Sequence, residues 1–137
     1  MDSERAAFTA GQEPWYVGWS NCDSTAANKI RQHYSRPYFL PEDSESSATD
    51  WIFIGTSGFG AHMHIDHVTY PSWQAQIAGE KTWILRPPME CYFTCPKTEY
   101  RTMLTPGDVI VVNTNIWYHA TVVHGSDISI SIGSEFD

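Results

Sequence analysis

Hydrophobic and polar residues alternate in short segments from residue 51 to the end of the chain. Such alternation indicates strands, because residues two apart on a strand share one face of the sheet. The predicted strands are WIFIG (51–55), HMHIDHV (62–68), SWQAQIA (72–78), KTWILR (81–86), YRTML (100–104), DVIVVN (108–113), HATVVH (119–124) and DISISIG (127–133). Turn sequences such as TPGD and HGSD separate them. Short strands at regular spacing, with no helical pattern between them, predict an all-β sandwich or barrel.

The first fifty residues have a different pattern of hydrophobic and polar positions. WYVGWSN (15–21) predicts an initial strand, and DSTAANKIRQHY (23–34) predicts a short helix with N-cap candidates at its start. PEDSESSATD (41–50) is polar and acidic and predicts a surface loop. We therefore expect an N-terminal extension over residues 1–50 and a β domain over residues 51–137.

Composition narrows the class of protein. The chain has 137 residues, 42% of them hydrophobic, which is enough for one domain with a real core. No apolar run is long enough to span a bilayer, so no membrane association is expected. The net charge of −8 argues against direct binding of nucleic acid, which depends on clustered Lys and Arg, and is compatible with a basic peptide partner.

Three cysteines leave the redox state open. Cys91 and Cys95 are one possible bridge, but an odd number of cysteines without a second pair favours reduced thiols. On this basis we expect an intracellular protein of the cytoplasm or nucleus.

His64 and Asp66 are the first candidate metal ligands. With six histidines and sixteen acidic residues, about 0.7 His-x-acid pairs are expected by chance, so the triplet alone is weak evidence. On a strand, however, the two side chains would face the same side of the sheet, where a divalent cation would satisfy both. A simple His–Asp hydrogen bond is the alternative.

His119 is the third candidate, because it begins a strand directly after the predicted hairpin bend 113–118. It would lie at a barrel rim, where open metal sites are found. Two histidines and one carboxylate with open coordination positions form the facial triad of non-haem Fe(II) oxygenases.

Lys81 and Ser131 are candidates for anion binding. Lys81 shares a face with Trp83 and Leu85, so its ammonium either extends out at the strand end or meets a bound anion. Ser129 and Ser131 alternate with isoleucines; this pattern fits either an amphipathic edge strand or a serine face that lines a polar cavity.

Two long segments carry a resemblance to a known family. GFGAHMHIDHVTYPSWQAQIAGEKTWILRPP and GDVIVVNTNIWYHATVV resemble the JmjC branch of the Fe(II)/2-oxoglutarate oxygenases, most closely its protein hydroxylases and arginine demethylases. The shared pattern is H-x-D, then Ser-Trp, then G-x-K-x-W-x-L-x-P, and the resemblance covers residues 51–137. It implies a double-stranded β-helix, a jelly-roll barrel of the cupin type.

The resemblance also implies site residues and chemistry. His64, Asp66 and His119 would be the iron ligands, and Lys81 would pair with the far carboxylate of 2-oxoglutarate. Ser131 and Gln74 stand where the family has further cosubstrate contacts. Fe(II), 2-oxoglutarate and O2 would be used to hydroxylate or oxidatively demethylate a substrate, which we expect to be a protein or peptide side chain.

Ala61 departs from the family, which often has a cosubstrate-binding Thr three residues before the first ligand. His62 would share the face of His64 and could line the pocket, compete as a ligand or be exposed, whereas His67 would face away and be structural. The alternative function is a cupin-like metal-binding protein or interaction module without oxygenase activity.

Overall fold

Two antiparallel sheets make up the fold. The computed structural model describes residues 13–44 and 46–137, without the side chains of residues 46–48. The strands are β1 (Tyr16–Asn21), β2 (Ser46–Gly55), β3 (Ser72–Ala78), β4 (Glu80–Arg86), β5 (Tyr100–Leu104), β6 (Val109–Val112), β7 (Tyr118–His124) and β8 (Ser129–Phe136). A five-stranded sheet has the order β1-β2-β8-β3-β6, and a three-stranded sheet the order β5-β4-β7.

This arrangement is the predicted all-β, jelly-roll double-stranded β-helix with one short helix, and that prediction is confirmed. All strand pairs are antiparallel. The sheets face each other, and side chains of β4 in the small sheet reach β3 and β8 in the large one. No helix in the described part of the chain is long and apolar enough to cross a bilayer.

The helix α1 (Ser24–Ile30) begins where the sequence predicts. The Asp23 side chain accepts a hydrogen bond from the Ala26 N–H at 2.8 Å, which satisfies one of the unpaired donors of the first turn. A 3₁₀ turn, Arg31–His33, continues the segment, so the regular helix is shorter than the predicted span 23–34. Residues 1–12 and residue 45 of the predicted extension lie outside the described residues.

The predicted loop over residues 41–50 is wrong in its second half, because β2 already begins at Ser46. Asp50, one of the acidic residues that suggested a loop, is buried. Its carboxylate forms an ion pair with the Arg31 guanidinium at 3.0 Å and accepts a hydrogen bond from the Tyr34 hydroxyl at 3.2 Å. A carboxylate can lie inside a strand when a neighbouring segment supplies the compensating donors. The division of the chain at residue 50 stays a prediction, and β1 and β2 pair across it.

Strand β3 separates an apolar layer from a polar one. Trp73 and Ala75 face outward and form the core with Leu40 of the N-terminal segment. Gln74 and Gln76, on the opposite face, are also buried, but they point between the two sheets. The interior between the sheets is therefore polar at this position, which is unusual for a core and indicates a site.

The cysteine prediction is wrong for two of the three residues. Cys91 and Cys95 form a disulfide in the segment between β4 and β5, and Cys22 is a free, exposed thiol. Cys91 ends a 3₁₀ turn, Met89–Cys91, and a further turn follows in which the N–H of Cys95 donates to the carbonyl of Cys91 at 2.7 Å. This turn brings the two side chains together, and sequence spacing alone does not predict it.

Candidate metal site and its cavity

The segment that carries His64 and Asp66 is not a regular strand, so the predicted strand 62–68 is wrong. Residues 58–64 follow the free edge of β7 through separate hydrogen bonds and one isolated bridge instead of a continuous ladder. His64 and His119 exchange two backbone hydrogen bonds of 3.0 and 2.9 Å, and the N–H of Asp66 donates to the carbonyl of Thr114 at 3.0 Å. This pairing places the first two candidate ligands directly beside the third.

Close approach of this segment to β7 depends on a glycine. A Cβ on Gly60 would lie 1.9 Å from the carbonyl oxygen of Thr121, so no other residue fits without displacement. Beyond Asp66 the chain is held by side chains, since Val68 N–H donates to Asn115 and the next two amides donate to Glu135. The loop at the cavity mouth is therefore fixed at both ends.

His64, Asp66 and His119 form one cluster, as the sequence predicts. Their ligand atoms all lie within 4.8 Å of one another. His64 Nε2 is 3.2 Å from Asp66 Oδ1, and His119 Nε2 is 3.7 Å from Asp66 Oδ2. His119 is buried, whereas the His64 side chain is 43% exposed, so the cluster opens to solvent on one side.

Backbone carbonyls orient both imidazole rings. Nδ1–H of His64 donates to the carbonyl of His62 at 2.6 Å, and Nδ1–H of His119 donates to the carbonyl of Trp117 at 3.1 Å. In the neutral rings this leaves Nε2 as the lone-pair nitrogen, and both Nε2 atoms face Asp66. This is the tautomer that a metal-ligating histidine adopts when its other nitrogen is held by a backbone acceptor.

The electrostatics of the three residues are linked. The hydrogen bond that His64 donates to Asp66 raises the pKa of His64, whereas burial lowers the pKa of His119. Burial alone would raise the pKa of Asp66, but the hydrogen bond of His64 and the charge of His119 bring it below its usual range. The carboxylate is therefore ionised, and when both imidazoles are neutral it faces two nitrogen lone pairs, an arrangement that a shared cation stabilises.

The donor set fits a divalent metal. Metal–ligand bonds of about 2.1 Å at right angles require ligand atoms roughly 3 Å apart, close to the separations from Asp66 to the two histidines. Two imidazoles and one carboxylate on one side of an open site match the facial triad of non-haem Fe(II) enzymes. The chemistry of the ligands and the fixed tautomers thus agree with iron.

A cavity of about 310 Å³ adjoins the cluster, between the two sheets. Besides the three candidate ligands, its walls include Tyr16, Phe53, Gln74, Trp83 and Thr121. The Trp83 ring stacks on His119 with a centroid distance of 5.6 Å, and its buried indole N–H has no partner among the described residues. Trp73 also lines this cavity, whereas Trp117 lines a separate groove beside β5.

The three predicted cosubstrate-binding residues meet in one buried cluster at the inner end of the barrel. Lys81 Nζ donates to Gln74 Oε1 and, at 2.5 Å, to Ser131 Oγ. The ammonium is fully buried, so Lys81 does not extend out at the strand end; the side chain points inward, to Gln74 and Ser131, and binding of an anion there stays a prediction. Strand β8 lies between β2 and β3, which rules out the edge-strand interpretation of the serine alternation.

Sequence reasoning missed three residues of this region. Tyr16 reaches the cavity from β1, and Thr121 accepts a hydrogen bond from the Ala61 N–H at 2.9 Å. Gln76 accepts the Ser131 hydroxyl at 2.9 Å. Spacing could have suggested Thr121, two residues after His119 on the same face, but the positions of Tyr16 and Gln76 depend on pairing between distant strands.

The two additional histidines take no part in the cluster. His62 is exposed and packs edge-on against Phe59, because the irregular segment does not keep strand alternation. His67, which we expected to be structural, is exposed and lies at the rim of the cavity.

The fold and the site together define a class: a double-stranded β-helix with a two-histidine, one-carboxylate cluster at the mouth of its central cavity. Comparisons with known proteins agree with this class. The chain is 38% identical over 65 residues to the arginine-specific demethylase JMJ22 of Arabidopsis thaliana, covering 43% of the chain and 13% of that protein. It is 31% identical over 84 residues to the bifunctional arginine demethylase and lysyl-hydroxylase psr-1 of Caenorhabditis elegans, covering 56% and 21%.

These relatives confirm the resemblance to JmjC demethylases and hydroxylases, an oxygenase family. The chain spans about a fifth or less of the length of the curated relatives that it matches. No family profile matches it.

Solved structures support the fold. The ribosomal oxygenase YcfD of Escherichia coli, in complex with cobalt and 2-oxoglutarate, superposes with a TM-score of 0.50 at 18% identity, covering 64% of this chain and 23% of that one. The CENP-C protein of Drosophila melanogaster bound to CAL1 superposes with a TM-score of 0.53 at 13% identity, covering 63% and 59%. At these identities the likeness concerns the fold alone.

Proposed function

We propose that this chain is an Fe(II)- and 2-oxoglutarate-dependent oxygenase that hydroxylates or oxidatively demethylates a protein side chain. The proposal rests on one observation: the candidate metal ligands and a buried lysine cluster lie toward opposite ends of the same cavity. The His64–Asp66–His119 cluster lies at the mouth of the cavity. The cluster of Lys81, Gln74 and Ser131 (the Lys81 cluster) lies against its inner end, where Gln74 forms part of the wall. A keto acid with a distal carboxylate has the chemistry to connect these two ends.

Strand register supports this orientation of the cavity. On β4, Leu85 pairs with His119 and Lys81 pairs with Val123, so Lys81 lies four residues deeper than the candidate metal ligands. Trp83 and Thr121, which pair with each other, line the cavity between these levels. The ligand would thus extend along β4 with its anionic end inward.

In this proposal His64 and His119 would hold the iron through their Nε2 atoms, and Asp66 would hold it through a carboxylate oxygen. Bound iron supplies the oxidising chemistry, in which 2-oxoglutarate and O2 yield succinate and CO2 while one oxygen atom enters the substrate. The protein's own residues position and shield the reactants. Trp83 and Phe53 exclude water from the cavity, and the Lys81 cluster provides positive charge for the distal carboxylate.

A protein side chain as substrate is supported by the relatives, two of which are named for action on arginine or lysine. The net charge of −8 is compatible with a basic peptide, because opposite charge favours encounter. Hydroxylation and demethylation both start from oxygen insertion at a C–H bond, and the site is suited to either.

The test is succinate formation from 2-oxoglutarate in the presence of Fe(II), O2 and candidate peptides. Wild type should form succinate, and His119→Ala should not, because the metal would lose a ligand. His124→Ala, an exposed histidine at the other end of β7, is the matched control and should behave as wild type. Equal turnover in all three would refute the proposal.

Wild type that binds metal but not 2-oxoglutarate would instead favour the alternative, a cupin-like metal-binding protein or interaction module. Ala61 is the observation behind that alternative, because its methyl group offers no hydroxyl to a cosubstrate.

A further inference from the structure

Strand β1 is one edge of the large sheet, and its outer edge has no strand partner in the described part of the chain. Thr56 N–H donates to the carbonyl of Trp15 at 2.9 Å, so Trp15 is a hydrogen-bonded position of the β1–β2 ladder. Backbone groups alternate in direction along an antiparallel strand, so those of Tyr16, Gly18 and Ser20 point away from β2. Their N–H and carbonyl groups are therefore free to pair with another strand.

The outer face of this edge is apolar. Tyr16 faces the cavity, so Val17 and Trp19 lie on the opposite face of β1. They pair across the sheet with Ile54 and Ile52 of β2 and are 47% and 43% exposed, whereas Ile52 is buried. Sheet edges are usually protected by a charged residue, a proline or a bulge, and β1 has none of these. The apolar layer thus continues to the end of the sheet, where it is open to a partner.

The sequence of β1 is complementary to a second copy of itself. In an antiparallel pair with a two-fold axis at Gly18, Gly18 faces Gly18 of the other copy and Tyr16 faces Ser20, so all the free backbone groups form hydrogen-bonded pairs. Val17 of each copy then faces Trp19 of the other at the non-hydrogen-bonded positions, where cross-strand side chains are closest. An axis at Val17 or at Trp19 would leave part of the free backbone groups without a partner.

Charge also favours a second copy as the occupant of this edge. The strand has no charged residue that would select a charged peptide, and two chains of net charge −8 approach each other most favourably through an uncharged surface. Glu13 and Asp23 flank the strand and would face each other at the ends of the pair. Added salt should therefore strengthen the contact, because it screens this repulsion.

We propose that β1 is a dimerisation edge, at which two copies of this chain pair through antiparallel β1 strands and join their large sheets into one. The pairing would also hold in place the strand from which Tyr16 reaches each cavity. A contact through one short strand is a small interface, so we expect a dimer that dissociates on dilution. The inference depends neither on the metal nor on the proposed function.

Sedimentation equilibrium of the full chain at a series of concentrations tests the pairing. Wild type should move from the monomer mass toward twice that mass as the concentration rises. Val17→Lys should weaken association by about tenfold or more, because each copy brings an ammonium into the contact. Val111→Lys is the matched control, since Val111 is also 47% exposed and lies on β6, the other edge strand of the same sheet. This control should associate as wild type does.

A pair of double variants tests the register. In Val17→Lys/Trp19→Glu each introduced ammonium faces an introduced carboxylate of the other copy, whereas in Val17→Lys/Trp19→Lys it faces a second ammonium. The first should associate at least about tenfold more tightly than the second, with circular dichroism showing that both are folded. Equal behaviour of these two would overturn the inference.

Two further results would also contradict it. Dissociation caused by Val111→Lys and not by Val17→Lys would place the contact at β6. A monomeric wild type would remove the dimer altogether, and if deletion of residues 1–12 then produced one, that segment would be the occupant of the edge in place of a second copy.

Discussion

At the scale of single residues, the buried side chain of Lys81 is the feature of the site that costs the most folding free energy. Burial lowers its pKa from 10.5 to about 7, because the charged form loses its hydration inside the barrel. The folded chain therefore releases this proton near pH 7, whereas the unfolded chain keeps it up to about pH 10.5. Between these values the unfolded state binds more protons, so the unfolding free energy rises with pH.

Lys81→Met should remove this dependence in the metal-free protein. The stability difference between variant and wild type is expected to change by about 2 kcal/mol between pH 7 and pH 9, in favour of wild type at the higher pH. Urea unfolding at several pH values measures it. Lys29→Met, an exposed lysine on α1, is the control and should run parallel to wild type. Parallel curves for Lys81→Met as well would show that Lys81 keeps its proton in the fold.

Residue chemistry also limits what could be predicted from sequence. Metal ligands need particular side chains, so His64, Asp66 and His119 could be nominated from type and spacing, and Lys81 from being a lone cation on an apolar face. Gln76 and Tyr16 could not, because their roles arise from the register of β3 with β8 and of β1 with β2. Side-chain type alone does not report on such pairing.

At the scale of elements, the regular strands were predictable and the irregular segment was not. Period-two alternation is clearest in β3 and β8, and it follows from the different surroundings of the two faces of a strand. Residues 62–68 also alternate, yet they form only one isolated bridge with β7, between His64 and His119. Their conformation is set by hydrogen bonds to Thr114, Asn115 and β7, partners that the local sequence does not reveal.

Gly60 should be essential to that segment. Gly60→Ala places a methyl group against the Thr121 carbonyl, and we expect a loss of about 2 kcal/mol or more together with weaker metal binding, because His64 would move. Thermal unfolding and a metal titration measure the two effects. Ser57→Ala, an exposed position in the same segment, should change neither. A Gly60→Ala protein as stable as wild type would contradict the close packing.

The Cys91–Cys95 disulfide should contribute to the stability of the fold but not to metal binding. A loop this short implies a stabilisation of about 2 kcal/mol, lost in the Cys91→Ser/Cys95→Ser double variant. Metal affinity should stay unchanged, because none of the residues between β4 and β5 lines the cavity. Reductant should reproduce the loss in wild type and leave the double variant unaffected. A reductant effect on the double variant, or a change in its metal affinity, would be the contrary result.

At the scale of the whole molecule, both sheets contribute to one site. The cavity takes residues from all five strands of the large sheet, from β4 and β7 of the small sheet and from the segment beside β7, so the site exists only when the two sheets are packed. The outer face of β3 packs against the N-terminal segment through Trp73 and Ala75, while its inner face carries the polar cluster.

The central claim is that this packed barrel holds one divalent metal ion at His64, Asp66 and His119. The most direct test is a titration of the full chain with Mn(II), with free metal followed by its EPR signal, for wild type, His119→Ala and His62→Ala. We predict one bound ion per chain in wild type and in His62→Ala, and a large loss of affinity in His119→Ala. Equal binding by all three proteins, or no binding by wild type, would contradict the account.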